Sequence, residues 1–310
     1  GTEFEAMEHV VPHAADASAP RRRVLVLGAG VAGIEAARVL AERGHDVEIW
    51  ERAQRTGGQI HLAVAAPDKT EVWPVWTDRW QEIERLAVPV RTGVQADEAM
   101  IRAFGPDHVI VATGSRPRKP PLPLEHLSPA VQVCHAWELF EHADRFGPQT
   151  RVTIVGGGMV GAELADLLRG RGSDIQILEM QDAACVGMAR NNRMELLERL
   201  AADGVRLITR CRIDAVVGDQ LQVRIGDAAA SELPVGDWLV FATGPQSQLD
   251  ALEPIEKAGV PYTRVGDAQA PGDFLAAIRD GWMAALALDA EAGPHAASPA
   301  QPRKQPASTV

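Results

Sequence analysis

The chain has 310 residues, 46% hydrophobic and 24% charged, ordinary globular values and enough length for about two domains with their own cores. Its net charge of −11 speaks against a nucleic-acid or anionic-membrane surface. Cys134, Cys185 and Cys211 are too widely spaced for a Cys-x-x-Cys, so they read as small buried hydrophobes; without a long apolar run or a charged-then-apolar start, the compartment reads as cytoplasmic.

Residues 1–20 read as a linker. Val24–Leu27 is then a short run rich in β-branched residues, the pattern of a parallel strand buried on both faces. Gly28, Gly30 and Gly33 make a turn into a helical pattern carried by Ile34, Ala37, Val39 and Leu40, which Arg43-Gly44 stops. The next strand, Val47–Trp50, ends on an acid, Glu51. Trp73, Trp76 and Trp80, with Ile83 and Leu86 beyond, read as one helix face. Core packing accounts for them best, and a docking surface for a missing domain is the alternative.

The same plan then occurs again. Leu27-Gly28-Ala29-Gly30-Val31-Ala32-Gly33-Ile34-Glu35 matches Val155-Gly156-Gly157-Gly158-Met159-Val160-Gly161-Ala162-Glu163 at an offset of 128. Asp107-His108-Val109-Ile110-Val111-Ala112-Thr113-Gly114 matches Asp237-Trp238-Leu239-Val240-Phe241-Ala242-Thr243-Gly244 at an offset of 130. The expected fold class is therefore α/β, with two Rossmann-like dinucleotide-binding domains, the second inserted in the first. Between the copies, the prolines of residues 115–125 argue against a regular ladder and place an interdomain crossing. A second crossing falls near Pro245–Leu249. Tyr262–Leu288 is too short for a domain and returns to complete the first one. The expected boundaries are 21–120 with 246–288 for an FAD-binding domain, 130–245 for an NAD(P)-binding domain, and a disordered tail over 289–310.

A Gly-x-Gly-x-x-Gly motif acquires meaning from its context: strand before, helix after, acid further on. Gly28 permits the tight turn, Gly30 lets a pyrophosphate approach the backbone, and Gly33 lets the helix pack on the strand. The helix N-terminus, at Val31 and Ala32, adds free N–H groups and positive potential. Glu51, 23 residues after Gly28, is placed for the adenosine ribose, with Arg52 beside it. Gly156, Gly158 and Gly161, with Met159 and Val160 at the helix start and Glu179 also 23 residues on, repeat the set. A carboxylate at Glu179 favours the 2′-hydroxyl of NAD over the 2′-phosphate of NADP, while Arg190 and Arg193 leave NADP open. A degenerate second copy that binds nothing is the bland alternative.

The order of fingerprint, Gly57-Gly58-Gln59-Ile60, Ala112-Thr113-Gly114, second fingerprint, Ala242-Thr243-Gly244 and Val265-Gly266-Asp267-Ala268 resembles the two-dinucleotide-fold flavoproteins over about residues 20–288. The resemblance implies that Gly58, Gln59, Ala112, Thr113, Gly114, Gly266 and Asp267 contact FAD; Val94 is counted with them, and Gly244 with the second site. The chain is similar more closely to the C-terminal half of the old-yellow-enzyme-like flavoproteins that include trimethylamine dehydrogenase, 2,4-dienoyl-CoA reductase and bacterial N-demethylases of methylated amino acids. Gly1–His13 and Ala277-Ile278-Arg279-Asp280-Gly281 carry that likeness. It implies FAD and NAD(H) on this chain, with NADP(H) as alternative, and a partner barrel carrying FMN and a [4Fe–4S] cluster that this chain lacks.

The expected function is that of an FAD-dependent NAD(P)H oxidoreductase. It passes electrons between NAD(P)H, FAD and the absent barrel, in a whole enzyme that is an N-demethylase or an enoyl reductase. No side chain need act as catalytic nucleophile, no metal ligand is expected, and the missing dithiol argues against a disulfide reductase. Because the chain starts at Gly1, it reads as a fragment of a longer protein, or as a separate subunit beginning at Met7 after a cloning leader. An ADP-holding structural module and a stand-alone ferredoxin-type reductase are the rival functions. His45, His61, His108, His126 and His135 lack ligand spacing and read as surface or satisfied polar groups.

Overall fold

The computed structural model describes residues 20–290 other than Pro121 and Glu141. The likeness at Gly1–His13 and most of the expected linker and tail lie outside the described residues. The elements of the first half are β1 (Arg23–Leu27), α1 (Val31–Glu42), β2 (Asp46–Trp50), α2 (Ile60–Ala65), α3 (Pro74–Arg85), β3 (Val90–Arg91), α4 (Glu98–Phe104), β4 (His108–Val111) and β5 (Ser115–Pro117). They are followed by β6 (Gln132–His135), α5 (Ala136–Phe140), β7 (Arg151–Val155), α6 (Met159–Arg169), β8 (Asp174–Leu178), α7 (Arg190–Ala202) and β9 (Arg206–Ile208). The remainder is β10 (Cys211–Val217), β11 (Gln220–Ile225), β12 (Ser231–Pro234), β13 (Trp238–Phe241), β14 (Pro245–Ser247), α8 (Leu252–Ala258), β15 (Tyr262–Arg264) and α9 (Phe274–Ala290).

Two five-stranded sheets, each wholly parallel, result: β15-β4-β1-β2-β3 and β6-β13-β7-β8-β9. Both have the doubly wound order, with the fingerprint strand in the centre and the chain reversing direction of growth beside it. Val24–Leu27 and Val152–Val155 are buried throughout, as a strand covered by helices on both faces requires. The return of β15 to the edge beyond β4, in parallel register Tyr262↔Val109, completes the first sheet after the second has been built. This makes the second fold an insertion in the first. A three-stranded antiparallel sheet, β10-β11-β12, closes over the second fold and shares a core cluster with Leu178, Leu239 and Phe241.

Helix α9 packs along α1, and Gly281 is the contact point. A Cβ there would lie 2.4 Å from the Ala32 carbonyl oxygen, so only glycine lets the closing helix cross this close to the first turn of α1. The helix runs on to Ala290, two residues into the stretch read as tail, because Leu288 is still buried against the core and holds the last turn.

One expectation is corrected. The proline-rich crossing does hold a ladder: β5 and β14 pair antiparallel, Ser115↔Ser247 and Pro117↔Pro245. Proline lacks a donor but keeps its acceptor, and in an isolated two-stranded ribbon the missing N–H faces no third strand. Arg118 N donating to Gly244 O (3.1 Å) and Gln248 N donating to Gly114 O (2.9 Å) close its ends. Both crossings between the folds are therefore tied into a single ribbon.

The tryptophans settle into the core. Trp76 is buried, its Nε1 donating to Ala29 O at 3.3 Å, and it stacks on Trp80 at 5.0 Å; Trp73 and Trp80 pack on the same cluster.

Candidate functional site

Each glycine turn sits at the carboxyl end of the central strand, flanked by the loop after the neighbouring strand on the other side of the switch point. In open α/β sheets this crevice is where ligands bind. The three glycines of each turn differ in why they must be glycine. Gly28 has φ +110° and Gly156 φ +109°; Cβ atoms there would stand 2.3 Å from Ala112 O and 2.5 Å from Ala242 O. A Cβ on Gly33 or Gly161 would stand 2.0 Å from the carbonyl oxygen of Gly28 or Gly156. Those four positions are demanded by the fold itself. Gly30 and Gly158 are not: a Cβ on either meets nothing within 4 Å. The open space beside them at the N-termini of α1 and α6 is the cradle a side chain would fill, and it fits a diphosphate.

Glu51 and Glu179 adopt the same pose. Glu51 accepts from Ala29 N (2.8 Å) and Ala53 N (2.7 Å); Glu179 accepts from Gly157 N (2.6 Å) and Gln181 N (2.7 Å). Each carboxylate thus straps its glycine turn to the end of the second strand. Val94 N donates to Glu51 O at 2.9 Å, which places Val94 beside that acid.

Residues far apart in sequence converge on the first turn. Gly57 N donates to Ala29 O (2.9 Å), and a Cβ on Gly58 would lie 3.4 Å from Gly30 Cα, so this segment lies against the turn. Gln59 Nε2 donates to Asp267 Oδ2 (2.9 Å) and to Ser115 Oγ (3.0 Å), and Ser115 Oγ donates to Asp267 Oδ2 (2.6 Å). Gly272 N holds the other oxygen of Asp267 at 2.9 Å, and Ser247 Oγ donates to its backbone carbonyl at 2.6 Å. Thr113 Oγ1 donates to Gln248 O at 2.6 Å. With its amide turned to present Oε1, Gln248 accepts from both Arg52 Nη atoms at 2.5 and 2.8 Å. Gly266 packs under Ala32, where a Cβ would be 2.8 Å from the alanine methyl. Ala112 and Gly114 flank the same crevice, and a Cβ on Gly114 would be 3.7 Å from Gln59 Nε2.

At the second turn a cleft of about 190 Å3 opens toward the interdomain ribbon. It is lined by Gly158, Met159, Val160 and Gly244, all anticipated from the repeat, and by Trp137, His135 and Phe241, which were not. His135 had read as a surface or satisfied group; the parallel register of β6 on β13 brings it to the cleft beside Phe241, ring centroids 6.4 Å apart. Arg193, one of the two arginines that left NADP open, is committed to its own loop, donating from Nε to Ala184 O at 2.8 Å.

Among the described residues, an ion pair links the two folds. Lys69 Nζ lies 2.7 Å from Glu163 Oε1, an ion pair without a well-aligned hydrogen bond to that oxygen. Glu163 is the repeat mate of Glu35, which instead is buried and held within its own domain by Arg38 (2.7 Å) and Arg79 (2.9 Å). The repeat thus turned one inward carboxylate into an interdomain contact.

The cysteines are free, and none is poised as a nucleophile. Burial pushes the Cys134 thiol up to about 12 and Cys185 to about 11, and raises Cys211 as well. Among the described residues no group of three His, Cys, Asp or Glu could hold a metal ion, and no helix is long and apolar enough to cross a membrane.

A family model described as pyridine nucleotide-disulphide oxidoreductase matches residues 22–270. Bilirubin reductase of Mediterraneibacter gnavus is 34% identical over 269 residues, covering 86% of this chain and 41% of that protein. N,N-dimethylglycine/sarcosine dehydrogenase of Chromohalobacter salexigens is 30% identical, covering 87% of this chain and 44% of that protein. Among solved structures, histamine dehydrogenase from Rhizobium sp. 4-9 superposes with a TM-score of 0.79 at 21% identity, over 90% of this chain and 45% of that one, a likeness of fold. The chain spans less than half the length of these relatives.

Proposed function

Since the chain belongs to the pyridine nucleotide-disulphide oxidoreductase family and is an FAD-dependent oxidoreductase by that membership, we propose that its first fold holds FAD and its second NAD(H). The observation that carries this is the pair of middle glycines, Gly30 and Gly158, which nothing in the protein's own packing requires. Bound flavin supplies two-electron chemistry with nicotinamide.

The chain's own residues bind and orient. The N–H groups at Val31, Ala32 and Gly33, and at Met159, Val160 and Gly161, meet the two diphosphates. Glu51 and Glu179 accept from the adenosine riboses, and a fixed carboxylate at Glu179 repels a 2′-phosphate, which favours NAD(H) over NADP(H). Asp267, held by Gln59 and Ser115, presents a carboxylate to the hydroxyls of the ribityl chain. Gly58, Arg52, Val94, Ala112, Thr113, Gly114 and Gly266 complete the first site, and Gly156 and Gly244 the second. Ser115 joins this set although it had carried no motif of its own.

The electrons pass onward to, or arrive from, an FMN and iron–sulfur barrel, the partner implied by the likeness to old-yellow-enzyme-like flavoproteins. For the whole enzyme we infer a cytoplasmic N-demethylase or enoyl reductase, a reading that the reductase and dehydrogenase names of the matched relatives support. The name of the family includes disulphide reduction; three unpaired cysteines with raised thiol pKa values turn the proposal away from it.

Anaerobic stopped-flow mixing of the FAD-loaded chain with NADH tests the reading. The flavin absorbance bleaches in the same mixing experiment with NADH, and more slowly with NADPH. Flavin that stays oxidised under an excess of both nucleotides overturns it.

A further inference from the structure

The cleft at the second glycine turn has a lining of particular chemistry. Trp137 at the start of α5 is half-buried, and His135 and Phe241 stand beside it. Met159, 47% exposed at the N-terminus of α6, and Pro117 and Pro245 from the ribbon form further walls, as do Val160, Ala242 and the uncharged Thr243. No Asp, Glu, Lys or Arg lines it. At about 190 Å3 the space takes one small planar ring and not a whole dinucleotide. Because Gly158 and Gly244 border it, the ring it receives is the one attached to a diphosphate resting on that turn.

Such a lining treats the two redox forms of a nicotinamide differently. A neutral dihydropyridine gains dispersion and burial from the aromatic walls. A pyridinium gains these and also the attraction of a cation for the faces of aromatic rings, strongest for indole, with no fixed cation among the lining side chains to oppose it. We propose that Trp137 is an aromatic seat for the nicotinamide ring that holds the cationic oxidised nucleotide more tightly than the neutral reduced one. This rests on the assignment of the second fold to NAD(H). It makes the oxidised nucleotide a retained product and a competitor of the reduced one at the cleft.

The experiment is calorimetric titration of the full chain with three probes: NAD+, its non-reducing 1,4,5,6-tetrahydro analogue with a neutral ring, and ADP-ribose, which lacks the ring. The wild type binds NAD+ about fivefold more tightly than the tetrahydro analogue. Trp137→Leu removes that preference, while ADP-ribose binds unchanged and so reports an intact fold. Trp137→Phe keeps most of the preference, since a ring remains. A charge-transfer absorption on adding NAD+, present in the wild type and lost in W137L, is the second readout. Equal binding of NAD+ and the analogue by the wild type overturns the proposal, as does a W137L variant that weakens ADP-ribose as much as NAD+. If ADP-ribose and NAD+ both fail to bind the wild type, the nucleotide assignment of the second fold is itself wrong and the seat falls with it.

Discussion

At the scale of single residues, glycine separates what the fold needs from what a ligand needs. Gly28 sits at φ +110° with Ala112 O where its Cβ would be, so Gly28→Ala costs about 3 kcal/mol or more in unfolding free energy. Gly30 has φ −78°, open to any residue, and free space around it. Gly30→Ala therefore leaves the stability of the apo chain within about 1 kcal/mol of wild type, and raises it if the loss of unfolded-state freedom dominates. The same substitution weakens FAD at least about tenfold, because a methyl group stands where the diphosphate approaches. Thermal unfolding of the apo chain and fluorescence titration with FAD read the two effects separately; a Gly30→Ala chain that binds FAD normally refutes the assignment of the first turn. These glycines were legible as letters, since their spacing is the fingerprint. Their division of labour was not, because it depends on Ala112 and Ala242, which only the sheet brings over them.

At the scale of elements, the helix patterns read from the sequence recur as α1 and α6, and the strands as fully buried runs. What holds one helix to the next was less visible. Asp166 on α6 is 3% exposed and takes Arg169 Nε at 2.5 Å and Arg199 Nη2 of α7 at 2.7 Å. Burial alone would raise the Asp166 carboxyl, but the hydrogen bonds from Arg199 and then Arg169 outweigh it and hold it below its ordinary value of 3.8. The folded pKa is depressed, so the stabilisation is fully present above the unfolded value and is lost as pH falls through the folded one. Asp166→Asn accordingly costs about 2 kcal/mol at neutral pH, and flattens the loss of stability below pH ~4 relative to wild type. Urea unfolding across that acid range checks it; parallel wild-type and variant curves show that the carboxylate contributes nothing linked to protons. A reader of the sequence sees Asp166 and Arg169 one turn apart, but Arg199 arrives from a helix 33 residues on, through tertiary packing.

At the scale of the whole molecule, two copies of one plan are joined by a ribbon and an ion pair. The repeat predicted both folds and carried Glu35 onto Glu163, while the shortness of Tyr262–Leu288 predicted the insertion. It did not predict that Glu163 would face the other domain, where Lys69 meets it. Both side chains are at most a third exposed, so screening does not erase the pair. A double-mutant cycle of Lys69→Met and Glu163→Gln is expected to show a coupling of about 1 kcal/mol in unfolding free energy. Zero coupling means the folds are held by the β5–β14 ribbon and their packing alone.

What the sequence by itself determined is what local rules and repetition control. Strand and helix periods, the glycine spacing, and an acid at the end of each second strand are all set within about 25 residues of chain and written twice. Only the tertiary structure decided the rest. It ran the proline-rich crossing as a ladder, brought Ser115 and Gln59 onto Asp267 across as many as 208 residues, and lined the second cleft with Trp137, His135 and Phe241. The physical reason is common to all three. A hydrogen bond or a ring contact between distant residues depends on strand order and register, and no spacing along the chain encodes which loop ends beside which.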